Sequence, residues 1–183
     1  QDGVNYNFGE IPPAALAGYV FRDGAPIYTA DGKVPANLYD LRDGVLTPDD
    51  LRLPGVVLEL RHTLTGEAVM ADEALPGYYS SGPLRVVTDA NRYYEFKGLR
   101  SGNYTVIQTH PEGYYDSIDT PGSTNGLAVN QNTVVSPLMI QRFAAQGVNL
   151  NNDAILQIPL AAGQMSVANN FSEVQITNIV III

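Results

Sequence analysis

At 183 residues, with 10 Lys+Arg against 19 Asp+Glu, the chain carries a formal charge of −9, which opposes binding to a phosphate backbone or an anionic membrane surface. Cysteine is absent, which removes disulfides, thiolate catalysis and cysteine-built zinc or iron–sulfur sites. A composition of 45% hydrophobic and 16% charged residues is that of a folded chain, and the length fits one domain.

The first residues lack an initiator Met and a charged-then-apolar leader, so a mature or excised segment with any signal peptide already removed is expected, which is consistent with export. The phrase Asn7-Phe8-Gly9-Glu10 near the start returns as Asn170-Phe171-Ser172-Glu173 near the end. Between these, short runs rich in Val, Ile, Tyr and Thr alternate with Gly/Pro/Asn/Asp clusters, the pattern of an all-β sandwich or barrel. Strands are expected near residues 16–22, 55–62, 84–88, 93–97, 103–110, 133–140, 155–160 and 165–171. Residues 23–53 have little apolar periodicity and many turn formers, and read as a long loop or insertion.

Side-chain alternation assigns faces within these runs. Val56, Leu58 and Leu60 fall on one side, and Val57, Glu59 and Arg61 on the other. Tyr94, Phe96, Tyr104 and Val106 are expected in the core, with Tyr93 and Glu95 outside. Gly98 and Gly102 flank the link between two runs where a tight connection needs positive φ, which predicts an antiparallel hairpin closed by Leu99. Residues 137–147 have a proline start and a glycine stop that would also allow a short turn of helix. The last stretch begins with period-2 alternation and ends in the apolar run of residues 179–183, far short of the roughly 20 residues a membrane-spanning helix needs.

Set in order, "LAGYVFRD", "LPGVVLEL", "VVTDANRYYEFKGLRSGNYTVIQTHPEGYYDSIDTPGS" and "DAILQIPLAAGQMSVANNFSEV" resemble the SdrD-type B repeat of the Cna B-type (prealbumin-like) domains of extracellular surface proteins. The resemblance implies an antiparallel, transthyretin-like β-sandwich over residues 16–173, with an insertion at about residues 24–53 after the first core strand. It also implies that residues 1–15 are an N-terminal strand and linker, 1–10 being the last strand of a preceding unit or its mimic, and residues 174–183 a C-terminal β tail. A non-catalytic structural module follows from it. The alternatives are a strand-exchanged filament subunit, or a carbohydrate- or ligand-binding module using the tyrosines at 78, 79, 93, 114 and 115. The β-branched tail would need cover. It either folds back on its own sandwich or adds as a strand to a neighbouring module or identical subunit.

Relatives often carry a calcium loop after the first strand, and calcium takes six to eight oxygens from spaced carboxylates on a glycine-containing loop. Asp40, Asp43, Asp49 and Asp50, with Asp23 at the strand end, are the candidate metal ligands. Arg42 among them adds an opposing charge, and the competing reading is an acidic turn without an ion. A second group, Asp116 and Asp119 with Asp89 and Asn91, could hold an ion between loops, against a reading as Asx turns. A Lys–Asn isopeptide bond, common among relatives, is not expected, since neither Lys33 nor Lys97 lies in the first strand. His62 and His110 sit at strand ends without nucleophile-elbow or metalloprotease spacing, so no catalysis is expected.

Overall fold

The computed structural model describes residues 10–151 and 153–178. In chain order β1 (Ala14–Arg22), β2 (Ile27–Thr29), α1 (Leu38–Leu41) and β3 (Leu51–Arg52) are followed by β4 (Val57–His62), β5 (Arg85–Val87), β6 (Tyr93–Leu99) and β7 (Gly102–Gln108). Then come β8 (Tyr115–Asp116), β9 (Leu127–Ala128), α2 (Pro137–Ala145), β10 (Ala154–Leu160), β11 (Met165–Ser166), β12 (Phe171–Val174) and β13 (Ile176–Asn178).

β1 is the axis of the first sheet. β6 runs antiparallel along one edge, from Ala14 opposite Leu99 to Tyr19 opposite Tyr93, and β3 extends that edge at Phe21 and Arg22. β11 and β12 follow the other edge, both parallel to β1, with Ala15 opposite Met165 and Val20 to Arg22 opposite Phe171 to Glu173. β8 pairs antiparallel outside β12. The second sheet is antiparallel throughout, in the order β5-β4-β7-β10-β9. Leu16, Val20, Tyr94, Phe96 and Phe171 from the first sheet meet Leu58, Leu60, Tyr104, Val106, Ile155 and Ile158 from the second in one buried core. Each such side chain contributes about 1.5–3 kcal/mol relative to exposure. The all-β sandwich expected from the alternating runs is thus the architecture, and the face assignments for residues 56–61 hold.

Three expectations need correction. The runs around Tyr94 and Tyr104 are not a hairpin: β6 pairs with β1, whereas β7 pairs with β4 and β10 in the opposite sheet. Residues 98–102 are a corner that carries the chain across the sandwich, so that Phe96 and Tyr104 both face the core. Gly98 has φ +66°, but Gly102 needs no positive φ. Residues 133–140 are not a strand, because Pro137–Ala145 is helical. Ser136 caps it by accepting the Met139 N–H at 3.3 Å, and Met139 packs on the small apolar cluster of Val129, Ala154 and Leu156 beside the second sheet.

Third, residues 165–171 are two short strands rather than one. The chain between them passes so close to β1 that a Cβ on Gly18 would lie 1.8 Å from the Asn169 carbonyl oxygen. Ala168 takes φ +60° there, and Asn side chains replace ladder bonds. Asn170 Oδ1 accepts the Tyr19 N–H at 3.0 Å, and Asn169 Nδ2 donates to the Ala17 carbonyl at 3.2 Å. The insertion, for its part, contains short elements. β2 pairs in parallel with β13, Ile176 opposite Ile27 through Asn178 opposite Thr29. This part of the tail therefore folds back on its own chain; residues 179–183 and the opening phrase at residues 1–9 lie outside the described residues.

Candidate functional site

One end of the core is polar, and alternation explains how. On β7 the inward stripe Tyr104, Val106 continues to Gln108 and then His110. On β12 the stripe from Phe171 continues to Glu173, and on β10 the position two residues before Ile155 is Asp153. Asp116 is the cross-strand partner of Glu173, which places two carboxylates side by side on one face. The two sheets therefore direct polar groups at each other where their apolar stripes run out.

The resulting geometry is tight. Among the described residues, one group of three or more His or carboxylate side chains brings its ligand atoms within 4.8 Å of one another: His110, Asp116, Asp153 and Glu173. His110 Nδ1 lies 3.0 Å from Asp153 Oδ1 and 3.8 Å from both Asp116 Oδ1 and Glu173 Oε2. The other ring nitrogen, Nε2, donates to the Tyr114 carbonyl at 3.0 Å, which directs Nδ1 into the cluster. Gln108 Nε2 donates to Glu173 Oε1 and, at 3.3 Å, to Asp153 Oδ1. Asp119, buried beside the group, accepts the Ser172 N–H at 2.9 Å. Glu173 Oε2 and Asp119 Oδ2 find no hydrogen-bond partner among the described residues.

Protons accumulate at such a place. Burial pushes Glu173 up to about 8, with Asp116 and Asp153 adding to the rise against the opposing pull of His110 and Gln108. Burial also pushes Asp116 up to about 6, helped by Asp153, and holds Asp119 well above the usual carboxylate range. For His110, burial acts downward but is outweighed by the Tyr114 carbonyl, Glu173 and Asp153, which raise it to about 9.

The five aspartates anticipated as metal ligands share a different place. Asp23, Asp40, Asp43, Asp49 and Asp50 line one surface depression with Gly24, Tyr39 and Arg42. Three of these carboxylates hold backbone N–H groups: Asp43 and Asp50 cap their own turns, and Asp23 and Asp50 also bridge separate loop segments. Asp23 Oδ2 accepts the Gly44 N–H at 2.9 Å, and Asp43 Oδ1 accepts that of Val45 at 2.9 Å. Asp50 accepts from Gly24 N–H at 2.8 Å and Thr47 N–H at 2.6 Å. Burial, with Asp50 and Asp43 nearby, raises Asp23 despite the Gly44 N–H and Arg42.

Of the second acidic group, Asp116 and Asp119 enter the cross-sheet cluster, while Asp89 caps its own turn by accepting the Tyr93 N–H at 3.1 Å. Sequence reading placed Asp153, Glu173 and His110 in no site. The available signal was alternation carried past the apolar residues: Glu173 two residues after Phe171, Asp153 two residues before Ile155, and Gln108 then His110 continuing Tyr104 and Val106. Lys97 pairs with Glu95 at 3.0 Å on the surface, and Lys33 is exposed. Several loop tyrosines serve the fold: the Tyr79 hydroxyl accepts the Lys97 N–H at 3.0 Å, Tyr93 packs on Tyr19, and Tyr114 lies against the core.

No protein-family model matches the chain. Colossin-A of Dictyostelium discoideum is 29% identical over 110 residues, 57% of this chain and 1% of that protein. Among solved structures, the full-length major pilin SpaD from Corynebacterium diphtheriae matches with a TM-score of 0.37 and 16% identity over 95% of this chain and 34% of that one. The shaft pilin SpaA from Lactobacillus rhamnosus GG gives a TM-score of 0.37 and 12% identity, covering 92% of this chain and 52% of the pilin. For the pilus protein RrgB from Streptococcus pneumoniae the TM-score is 0.34 and the identity 14%, over 89% of this chain and 25% of that protein. The chain thus spans a small part of the curated relative and between a quarter and about half of these pilus proteins.

Proposed function

We propose that this chain is a non-catalytic, load-bearing module of an extracellular surface protein or fibre, of the Cna B-type kind its sequence resembles. The observation that supports this is the parallel pairing of β1 with β12. Among the described residues the chain enters at the start of β1 and leaves through β12 and then β13, which pairs in parallel with β2. In a parallel pair those two ends point in opposite directions, so tension slides the strands lengthwise and loads the ladder bonds together rather than one at a time. The antiparallel pair of β1 and β6 is the internal contrast, since Ala14 and Leu99 lie opposite each other at one end of it.

Single-molecule pulling tests the reading. Force applied through residues 10 and 178 should meet a higher unfolding peak than force applied through residues 13 and 100, which unzips β1 from β6. An end-to-end peak equal to or below the unzipping peak overturns it. In the same reading, calcium held by Asp23, Asp40, Asp43, Asp49 and Asp50 stiffens the loop floor, and neighbouring modules or identical subunits join through the terminal strands. A calcium-selective chelator should then lower the melting temperature, and deletion of residues 179–183, which leaves β12 and β13 intact, should abolish end-to-end association; unchanged melting removes the first element and unchanged association the second.

A further inference from the structure

We propose that His110, Asp116, Asp153 and Glu173 bind one divalent transition-metal ion of the zinc class between the two sheets, through imidazole Nδ1 and one oxygen of each carboxylate. The donors are already gathered. A tetrahedral ion with bonds of about 2.0–2.1 Å holds its ligands roughly 3.3–3.4 Å apart, and Nδ1 stands 3.0–3.8 Å from the three carboxylate oxygens. All four ligand atoms lie within 4.8 Å of one another, so an ion completes the arrangement by drawing the more distant oxygens inward.

A separate observation points to a ligand. Glu173 is 1% exposed, and its Oε2, aimed at the imidazole from 3.8 Å, has no hydrogen-bond partner among the described residues. A buried carboxylate oxygen is costly unless a cation or donor meets it. No Lys or Arg nitrogen among the described residues pairs with Asp116, Asp119, Asp153 or Glu173; His110 is the one cationic neighbour of Asp116, Asp153 and Glu173. The nearest arginine on the adjoining strand, Arg22, is engaged by Gln175 Oε1 at 3.0 Å. A divalent ion supplies the missing positive charge.

Metal class follows from the donors. Calcium and magnesium seek shells of six to eight and of six oxygens respectively, whereas an imidazole nitrogen with few carboxylates suits zinc and its first-row neighbours. The bond from His110 Nε2–H to the Tyr114 carbonyl is the outer-shell contact that orients a metal-binding histidine. The ligands come from strands of both sheets, β8 and β12 on one side and the ends of β7 and β10 on the other, so the ion ties the layers together in a chain without cysteine. This inference is independent of the load-bearing reading.

The test uses the untagged chain, stripped with a chelator and titrated with zinc chloride, with calcium chloride in parallel. One zinc ion per chain is expected, with a melting temperature raised by roughly 5–10 °C at free zinc about 100-fold above Kd. The chain has two histidines, so nitrogen-detected NMR of the imidazoles reads the ligand directly: the His110 Nδ1 signal should move and that of His62 should not. His110→Ala should weaken binding by about 100-fold or more, and His62→Ala should leave it unchanged. Glu173→Gln is a second ligand variant; if it fails to fold, His110→Ala, at a side chain 35% exposed, carries the test alone. The proposal is overturned by no zinc binding, by binding that survives His110→Ala, or by calcium binding in preference to zinc without an imidazole shift.

Discussion

The Asp23–Asp50 depression and the cross-sheet cluster are both rich in carboxylates, and they differ in what faces those carboxylates. In the depression, Asp23, Asp43 and Asp50 each accept backbone N–H groups, of their own turn or of a facing loop segment. At the end of the core, Asp116, Asp153 and Glu173 lie against one another around a single imidazole, with the buried Asp119 beside them. The first arrangement uses negative charge to hold turns. The second concentrates it where water is scarce, so protons or a cation must balance it. What marks the second place is the convergence of ligand atoms from different strands, which a count of acids along the chain does not reveal.

Removing one member from each region should separate the two behaviours, with the largest effect at Asp119. Asp119→Ala strips the acceptor from the buried Ser172 N–H and leaves a void under β12, for an expected loss of about 2–4 kcal/mol. Asp119→Asn keeps the Oδ1 acceptor and removes a charge from a crowded site, and should be neutral or stabilising in metal-free buffer. Urea denaturation of the two variants is the measurement. Equal losses would mean that the carboxylate charge itself is favourable there, contrary to the cluster's electrostatics.

Next in size is the response to pH, read without metal. Glu173 is raised from 4.5 to about 8, so between those values the folded chain keeps a proton that the unfolded chain releases, and stability falls as pH rises. His110 is raised from 6.5 to about 9; its contribution is complete below 6.5 and is lost as pH climbs through about 9. Asp116, raised from 3.8 to about 6, and Asp119 act in the same direction. The groups facing Glu173 are His110, Asp116, Asp119, Asp153 and Gln108, with no Lys or Arg paired to its carboxylate among the described residues. Stability in chelator should therefore decline from about pH 5 to pH 9. Glu173→Gln should flatten that slope. A rise in stability over this range would contradict the excess of buried acid.

The sandwich was largely legible in the chain because a period of two is a strong signal wherever one face of a strand is apolar. Leu58 and Leu60, Tyr94 and Phe96, and Tyr104 and Val106 all point inward as alternation requires. Pairing was not legible. The corner at residues 98–102 has the glycine spacing of a hairpin, and only the demand that both Phe96 and Tyr104 fill one core places β6 and β7 in opposite sheets. The helix at Pro137–Ala145 was half visible in its proline and glycine, but Val134 and Val135 before it and Leu138, Met139 and Ile140 in its first half also fit a strand, and Ser136 as N-cap was the deciding residue. Of the candidate site, Asp116 and Asp119 were visible as an acidic pair. Asp153 and Glu173 were hidden because one precedes and the other lies within a strand whose remaining residues speak for burial, and His110 because a lone histidine at a strand end is ordinary.

The smallest expected effects lie in the depression and sharpen the contrast from the other side. Asp50 accepts the Gly24 and Thr47 N–H groups and, at 3.0 Å, the Thr47 hydroxyl, so Asp50→Ala unties two loop segments. These bonds are near solvent, where water replaces part of what is lost, and the expected cost is about 1 kcal/mol. Asp49 lines the same depression, and none of the side-chain hydrogen bonds among the described residues involves its carboxylate; Asp49→Ala should change stability by less than about 0.5 kcal/mol in calcium-free buffer. Repeating both measurements with millimolar calcium isolates any ion. If the depression holds calcium, Asp49→Ala becomes costly as the wild-type chain gains stability that the variant cannot. If both variants respond alike with and without calcium, the loop acids are turn caps alone, and the balance of charge in this molecule rests on the cross-sheet cluster.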